Sequence, residues 1–358
     1  MGGVAHKRIL VAPLDWGLGH ATRCIPIIRM LQQRGCEVAI ASSADALTLL
    51  RQEFPELQHF DLPSYRARYS TRLPLMVKVF LQLPKLVAAI FKEHRWLRQI
   101  LRTHSFDWVI SDNRYGCWSA RTPSIFITHQ VNLLMPAGFG WLAGILNYFN
   151  HQAIRRFDGC WIPDYPDDPL TGKLSRPVHP HTTFVGMLSR FHPRPSSIEI
   201  SYPVVAILSG PEPQRAKLEM LLIAALKNFS TPALIVRGLP GKGSRHCIGE
   251  HITVVDHLPS QELNEVIFRS ELVICRSGYS SVMDLAFAGR KALFIPTPGQ
   301  TEQEYLASKL MRMGVAGYQH QSQLDLKSAW RERNHYKGFE DWKHQHNLLS
   351  QAVNKILQ

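Results

Sequence analysis

The chain has 358 residues, 45% of them hydrophobic and 19% charged, a composition that suits a globular protein of two ordinary domains with adequate cores. Its formal charge of +13 is uneven: residues 1–190 hold 22 Lys and Arg against 13 Asp and Glu, a net +9, and residues 191–358 hold 19 against 15, a net +4. The excess therefore serves whatever the first half meets. Nucleic acid is not the expected partner, because there is no zinc spacing, RNP-like motif or Lys/Arg-rich recognition helix, and an anionic membrane surface fits better.

The six cysteines (Cys24, Cys36, Cys117, Cys160, Cys247, Cys275) have neither CxxC nor paired spacing, which points to free thiols in a reducing compartment. No secretory signal is expected at the start of the chain. No run reaches 18 uncharged apolar residues with suitable flanks, so no transmembrane helix is expected.

In chain order, Arg8–Ala12 reads as a first strand, and Asp15-Trp16-Gly17-Leu18-Gly19-His20 follows it directly. Ala21–Arg34 has helical periodicity through Ile25, Ile28 and Leu31, with Gly35 as the stop, and Glu37–Ala41 is the next strand. The glycines of that first turn, Gly17 and Gly19, permit close approach to a ligand. On the residues alone His20 is either a helix cap or a base facing a ligand. Asp61–Arg72 is a loop whose Arg66 and Arg68 either sit in water or seat an acceptor phosphate or headgroup. Leu73–Lys92 is helical and apolar, with Lys78, Lys85 and Lys92 in a stripe. Trp108–Asn113 is a strand whose polar end brings Asp112 and Asn113, and Ser124–Thr128 is another, ending in His129 and Asn132. Strand ends of this kind are where ligands sit in open α/β sheets. Leu133–Tyr148 carries no charge and two aromatic anchors, Phe139 and Trp141, and reads as a buried core helix or one lying in a membrane interface. Asp158–Pro163 closes the strands of this half, and Asp164, Asp167 and Asp168 are irregularly spaced, so they form a turn and not a metal site.

Phe191–Tyr202 has linker composition. Val204–Leu208 opens a second sheet, Lys217–Phe229 is a helix, and Ala233–Gly238 and Ile252–Val255 are strands. Glu271–Cys275 is a short buried strand. Arg276-Ser277-Gly278 turns into a helix over Tyr279–Gly289, a geometry that aims backbone N–H groups and a positive dipole end at an anion. Arg276, Ser280 and Ser281 add donors suited to phosphate, and Asp284 lies one turn further on, placed for a ribose hydroxyl pair. Lys291–Pro296 is a strand, followed by a loop that presents Gln300, Glu302, Gln303 and Glu304. Asn347–Leu357 is an amphipathic last helix.

The run CRSG, then Asp284, then FIP, then Gln303-Glu304-Tyr305 resembles the nucleotide-sugar site of family 28 glycosyltransferases, the MurG-like group. That family moves a sugar from a UDP donor to a lipid-linked acceptor. Before the second sheet the resemblance is carried loop by loop: GLGH resembles the family's GGxGGH, HQVN its HEQN, and VGMLSR its VGxPxR. It implies that Ser277-Gly278 faces the diphosphate, Asp284 the ribose, and Gln303 and Glu304 the sugar. It also makes Ser209, Gly210 and Gln214 a phosphate loop and sets the backbone around Leu258 against the uracil edge. Two residues depart from the pattern: the family's Glu is Asp284 here, and the second Gln of its pair is Glu304. The phosphate loop carries two prolines besides.

The resemblance implies a GT-B architecture of two Rossmann-like α/β domains facing across a cleft. Residues 1–190 would form an acceptor domain, 191–202 a linker and 203–340 a UDP-sugar domain, with a helix over 341–358 packing back on the first. It implies an inverting, metal-independent transferase with His20 as base. No cofactor is expected beyond the donor, and the expected location is cytoplasmic, on the inner face of the membrane. Gly17, Gly19, Arg66, Arg68, Asp112, Asn113, His129 and Asn132 are the acceptor-side candidates. A UDP-sugar hydrolase and a catalytically silent nucleotide-sugar-binding protein are the rival readings. A 2-epimerase is disfavoured by the lack of its additional acidic and histidine residues.

Overall fold

The computed structural model describes residues 6–64, 75–135, 140–167, 169–191, 202–210, 212–240, 243–339 and 347–358, without the side chains of 75–83. Arg66, Arg68, Phe139, Asp168, the side chain of Lys78, residues 192–201 of the expected linker and the boundary expected at 340–341 lie outside the described residues. The chain divides into two compact units. One comprises Met1–Trp16, His20–Leu188 and Gln345–Gln358, and the other comprises Gly17–Gly19 and Ser189–His344.

The first unit begins with β1 (Arg8–Pro13), α1 (Gly19–Gln33), β2 (Glu37–Ser42), α2 (Ala44–Glu53) and β3 (Gln58–Asp61). It continues through α3 (Leu75–Thr103), β4 (Trp108–Asp112), β5 (Ser124–Ile127), α4 (Gly140–Ile154), β6 (Gly159–Ile162) and β7 (Thr182–Phe184). The strands form one sheet in the order β3-β2-β1-β4-β5-β6-β7, parallel at every pairing. Buried on both faces, such strands need continuous apolar runs, and Ile9, Leu10, Val11 and Ala12 of β1 are fully buried. Sequence periodicity finds most of these elements but not α2, β3 or β7, and β7 replaces the Asp158–Pro163 strand as the last of this half. It also stops α3 eleven residues short, because the helix runs on through Lys92 to Thr103.

The second unit contains β8 (Val204–Ile207), α5 (Gln214–Lys227), β9 (Ala233–Val236), β10 (Arg245–Ile248) and β11 (Ile252–Val255). There follow α6 (Ser260–Phe268), β12 (Leu272–Cys275), α7 (Tyr279–Ala288), β13 (Ala292–Phe294), α8 (Thr301–Arg312), β14 (Gly317–Tyr318) and α9 (Leu326–Glu332). The sheet order is β10-β11-β9-β8-β12-β13-β14, parallel except for the β10–β11 edge pair. Leu218, Leu222 and Leu226 of α5 pack with Ala206, Ile235 and Ile274 of the strands in one core. Glu302, Gln303 and Glu304, expected on a loop, sit in the first turn of α8, with Gln300 as its N-cap.

The last helix, α10 (Leu348–Leu357), belongs to the first unit. Its Ala352, Val353 and Ile356 are buried. Lys7 Nζ donates to the Ile356 carbonyl at 3.0 Å, and Arg34 donates to Ser350 Oγ at 2.6 Å. Burying Val353 and Ile356 stabilises the docked helix by about 1.5–3 kcal/mol each.

Candidate active site

In each sheet the connections reverse direction at one place, and there the loops after two adjacent strands part and leave a crevice. In the first unit that place lies between β1 and β4, with Pro13 in register with Asp112 and Leu14 N–H donating to the Asp112 carbonyl at 3.0 Å. The turn that follows β1 takes Gly17 through φ +75°, a conformation glycine adopts without strain, and α1 then starts at Gly19. His20, in the first turn of α1, is thereby set beside the carboxylate that ends β4.

His20 Nδ1 lies 3.3 Å from both oxygens of Asp112. Arg23, one helical turn along α1 and 1% exposed, contacts both residues. Arg23 donates through Nε to Asp112 Oδ2 at 2.7 Å and through Nη2 to Asp112 Oδ1. Its Nη2 also donates to His20 Nδ1 at 2.8 Å, and its Nη1 donates to His129 Nδ1 at 2.6 Å. The Cys24 thiol donates to Asp112 Oδ2 at 3.6 Å. Burial, then the Arg23 charge, lowers the proton affinity of His20 below the ordinary histidine value, outweighing Asp112. Burial alone would push the Asp112 carboxyl up, but Arg23 and His20 together hold it well below the usual carboxylate range. The direction of that shift favours the neutral ring, the form a base requires. Asp112 is an ion-pair partner and not an acceptor ligand.

A second charged cluster supports the same turn. Arg114, fully buried, donates to Glu93 Oε1 at 2.7 Å, Pro13 O at 2.8 Å, Ser43 Oγ at 3.0 Å and Pro63 O at 3.3 Å. Asp15, two residues past β1, accepts from Ser43 Oγ and Ser64 Oγ and stands 3.7 Å from Arg114. Asn113 follows in the left-handed region at φ +55°, with its buried Oδ1 lacking a hydrogen-bond partner. Asn132, grouped with these residues by sequence, is instead a clip that donates to Arg176 O and accepts from His151.

In the second unit the reversal falls between β8 and β12, with Ile207 in register with Cys275. Ser209 and Gly210 end one strand, Gly210 at φ +96°, and Arg276, Ser277 and Gly278 end the other. Gly278 is the N-cap of α7, and a side chain built there would meet nothing within 4 Å, so this amide end is open to a ligand. Ser277 Oγ donates to the Gln303 carbonyl at 2.7 Å. Ser280 Oγ donates to the Gly19 carbonyl at 2.7 Å, a residue grouped with this unit.

Arg276 is not the phosphate donor that its place in CRSG led us to expect. Its guanidinium is 1% exposed and is spent on Ile295 O, Pro296 O, Gln214 O and Gln321 Oε1 at 2.7–3.0 Å. Burial pushes its proton affinity down to a pKa of about 10. It ties together the loops after β8 and β13, and Gln214 takes part through its backbone carbonyl. Asp284, 8% exposed, accepts from Ser189 Oγ at 2.7 Å and pairs with Arg190 at 3.4 Å. Burial raises its carboxyl above the ordinary value despite both partners. Gln303 turns its Oε1 to the Thr297 N–H at 2.7 Å, which leaves the amide nitrogen on the other side, and Glu304 Oε1 accepts from the Gly299 N–H at 3.2 Å. Leu258 is 8% exposed, just before α6.

Arg23, Cys24, Glu93, Arg114, Ser189 and Arg190 were given no role at the site from the sequence. Arg23 had a signal: it is a cation on the buried face of α1, between Ala21 and Ile25 and three residues from a histidine.

Residues 249–337 match the glycosyltransferase family 28 C-terminal domain. The chain is 24% identical over 321 residues to the Haemophilus ducreyi UDP-N-acetylglucosamine–N-acetylmuramyl-(pentapeptide) pyrophosphoryl-undecaprenol N-acetylglucosamine transferase, covering 87% of this chain and 84% of that one. It is 23% identical over 310 residues to an uncharacterised glycosyltransferase of Methanopyrus kandleri, covering 80% and 85%. Among solved structures it is similar to Acinetobacter baumannii MurG, with a TM-score of 0.58 and 17% identity over 98% of this chain and 99% of that one. It is also similar to the spinosyn rhamnosyltransferase SpnG complexed with thymidine diphosphate, with a TM-score of 0.58 and 17% identity over 98% and 95%. The two parallel sheets are thus those of the GT-B fold. Within that fold the chain is a glycosyltransferase similar to the MurG-type enzymes.

Proposed function

We propose that this enzyme moves a sugar from a UDP-sugar to a hydroxyl of a lipid-linked or glycolipid acceptor, with inversion and without a metal. The observation that carries this reading is the placement of His20 beside Asp112 where the first sheet reverses. In that scheme the His20 imidazole takes the acceptor hydroxyl proton as the new glycosidic bond forms, and the Asp112 carboxylate beside the ring offsets the positive charge that results. The open N-terminus of α7 at Ser277-Gly278, with Ser209, Gly210 and Gln214, receives the diphosphate, where negative charge develops on the departing UDP. Asp284 takes the ribose hydroxyls in exchange for Ser189, the backbone at Leu258 meets uracil, and the Gln303 amide and Glu304 carboxylate meet the sugar. Gly17, Gly19, Asn113, Arg66 and Arg68 are left to the acceptor.

The lipid nature of the acceptor is supported by the surface of the first unit. Trp141, Ile145, Tyr148 and Phe149 stand 52–70% exposed along α4, so this stretch presents an aromatic face outward. Val87 and Phe91 of α3 are exposed as well, with Lys85 and Lys92 exposed on the same helix. Among the described residues no helix is long and apolar enough to cross a membrane. An apolar face with nearby cations is the arrangement of a protein that lies on an anionic bilayer, and we place the enzyme there, at the cytoplasmic surface.

Arg23-Cys24 after GLGH is shared with UDP-sugar hydrolases, which use water in place of the acceptor. Incubation of UDP-sugars with and without lipid-linked acceptors, followed by product analysis, separates the readings. Transfer predicts UDP release that depends on the acceptor. Free sugar at full rate without acceptor means hydrolysis, and no turnover at all means a binding protein.

A further inference from the structure

We propose, on the reading of the second unit as the donor site, that Thr297 is a further binding residue for the nucleotide sugar, its hydroxyl donating to the phosphate that carries the sugar. Thr297 is 3% exposed, and among the described residues its Oγ1 is the one buried hydroxyl oxygen without a hydrogen-bond partner. Burying a hydroxyl unpaired is costly, and an orphan of this kind in a folded protein is a mark of a binding position.

The orphan faces the crevice already described. Ile207 of β8, Cys275 of β12 and Phe294 of β13 are in register, and Gly210, Gly278 and Thr297 each stand three residues past that level. Arg276 draws the loops together, donating to Pro296 O beside Thr297 and to Gln214 O in the loop after β8, at 3.0 Å each. Gly210, at φ +96°, occupies a conformation that favours glycine. A side chain built there would meet the Thr297 oxygen at 3.8 Å. The hydroxyl therefore looks onto the backbone of the phosphate loop where no side chain intervenes, and a glycine backbone can yield to a phosphate oxygen.

The donor is also held in place before any ligand arrives. Pro298 restricts the residue ahead of it to extended backbone, and β-branching stiffens its χ1. The Thr297 N–H donates to Gln303 Oε1 at 2.7 Å, and its carbonyl accepts from the Gln300 N–H at 3.0 Å. Ser277 Oγ ends on the same Gln303, at its carbonyl. Gln303 is the residue assigned to the sugar, so Thr297 belongs to the sugar end of the diphosphate and not to its uridine end. When the bond from the anomeric carbon to the phosphate oxygen breaks, the electron pair stays on the phosphate. A fixed hydroxyl donor there strengthens as that charge arrives, and its proton stays on Thr297.

Calorimetric titration of UDP and of UMP against the full chain, as wild type, Thr297→Val and Thr297→Ser, tests this. Thr297→Val should weaken UDP about ten- to hundredfold, the loss expected for one hydrogen bond to a charged group, and leave UMP unchanged. Thr297→Ser should keep most of the UDP affinity. The ligand-free melting temperature of Thr297→Val should hold or rise, because a methyl group replaces an unpaired hydroxyl of the same shape. Equal UDP affinities in wild type and Thr297→Val overturn the proposal, and so does an equal loss of UMP, which would mean a general disturbance of the site. A lowered melting temperature with UDP unaffected makes the hydroxyl a structural group and overturns it as well. Should Thr297→Val fold poorly, Thr297→Ala must show the same difference between UDP and UMP. Wild type that binds neither nucleotide removes the donor-site reading and this proposal together, whereas wild type that binds UDP no better than Thr297→Val removes the proposal alone.

Discussion

The two units share a sheet plan, each with a central strand pair flanked by parallel neighbours and each reversing direction at that pair, yet they fill the reversal with opposite chemistry. Between β1 and β4 the first unit concentrates ionised and titratable groups: His20, Arg23, Asp112, His129 and, below them, Asp15, Arg114 and Glu93. Between β8 and β12 the second unit offers glycines, hydroxyls and the amide end of α7, and turns Arg276 away into the loops. On the proposed function, the difference is what a divided labour requires. Moving a proton calls for side chains whose charge can change. Receiving an anion that has to leave again calls for fixed dipoles that cost nothing to reorganise.

This contrast breaks most readily at His20. Replacement by Ala should reduce turnover by roughly a hundred- to ten-thousand-fold while the UDP affinity measured by calorimetry stays put. A parallel loss of UDP affinity would mean that the two sites are not separable in this way. Arg114→Met strips the cation from between Glu93 and Asp15, and breaking such a buried pair costs about 3–5 kcal/mol. Thermal unfolding should show that loss. A change within error would mean that the first unit does not depend on its buried charge. Asp284→Ala removes the one buried carboxylate assigned to the nucleotide and should weaken UDP by about 1–3 kcal/mol. Equal affinities would reduce Asp284 to a tie for Ser189 and Arg190.

The smaller effects sharpen the comparison. His20 has a lowered proton affinity in the folded state, so the unfolded chain binds that proton more readily. Its contribution to stability is complete above the ordinary histidine value of about 6.5 and is lost as pH falls below it. Denaturant titrations of wild type and His20→Gln across this range should give a shallower pH slope for the variant. Parallel slopes would show that the ring is not held neutral. Lys85→Ser and Lys92→Ser should each weaken binding to anionic vesicles by at most about 1 kcal/mol, with the loss fading at high salt. Sedimentation with no dependence on anionic lipid would leave the exposed face of α4 without a membrane to meet.

How much of this was legible in the sequence differs between the units for a physical reason. The second site is local: strand, turn and helix run consecutively from Leu272 to Ala288, so period and glycine placement reveal the open amide end directly. The first site is assembled from residues 89 to 106 positions apart, Arg23 with Asp112 and with His129, and no spacing rule reaches that far. Arg276 misled because a guanidinium beside a phosphate-type turn is the expected donor, and only packing shows that backbone carbonyls had already claimed it. Asn132, proposed from the resemblance of HQVN to HEQN, has its side chain engaged by Arg176 O and His151. The short α2 and β3 lack a strong period, and α3 was cut short because Glu93 interrupts its apolar run, although that residue is buried on Arg114.

The docking of α10 on the first unit bears on how the chain is made. A unit assembled from Met1–Trp16, His20–Leu188 and Gln345–Gln358 cannot bury Ala352, Val353 and Ile356 until the ribosome has finished the whole of the second unit. At about 5–20 residues per second that delay is on the order of 10–30 s. During it the surface that will receive Val353 and Ile356 is bare, while the intervening half can already fold on its own contacts. A nascent chain that stops before α10 would therefore display an apolar groove beside Lys7 and Arg34, a mark by which the cell's folding machinery can tell an unfinished enzyme from a finished one.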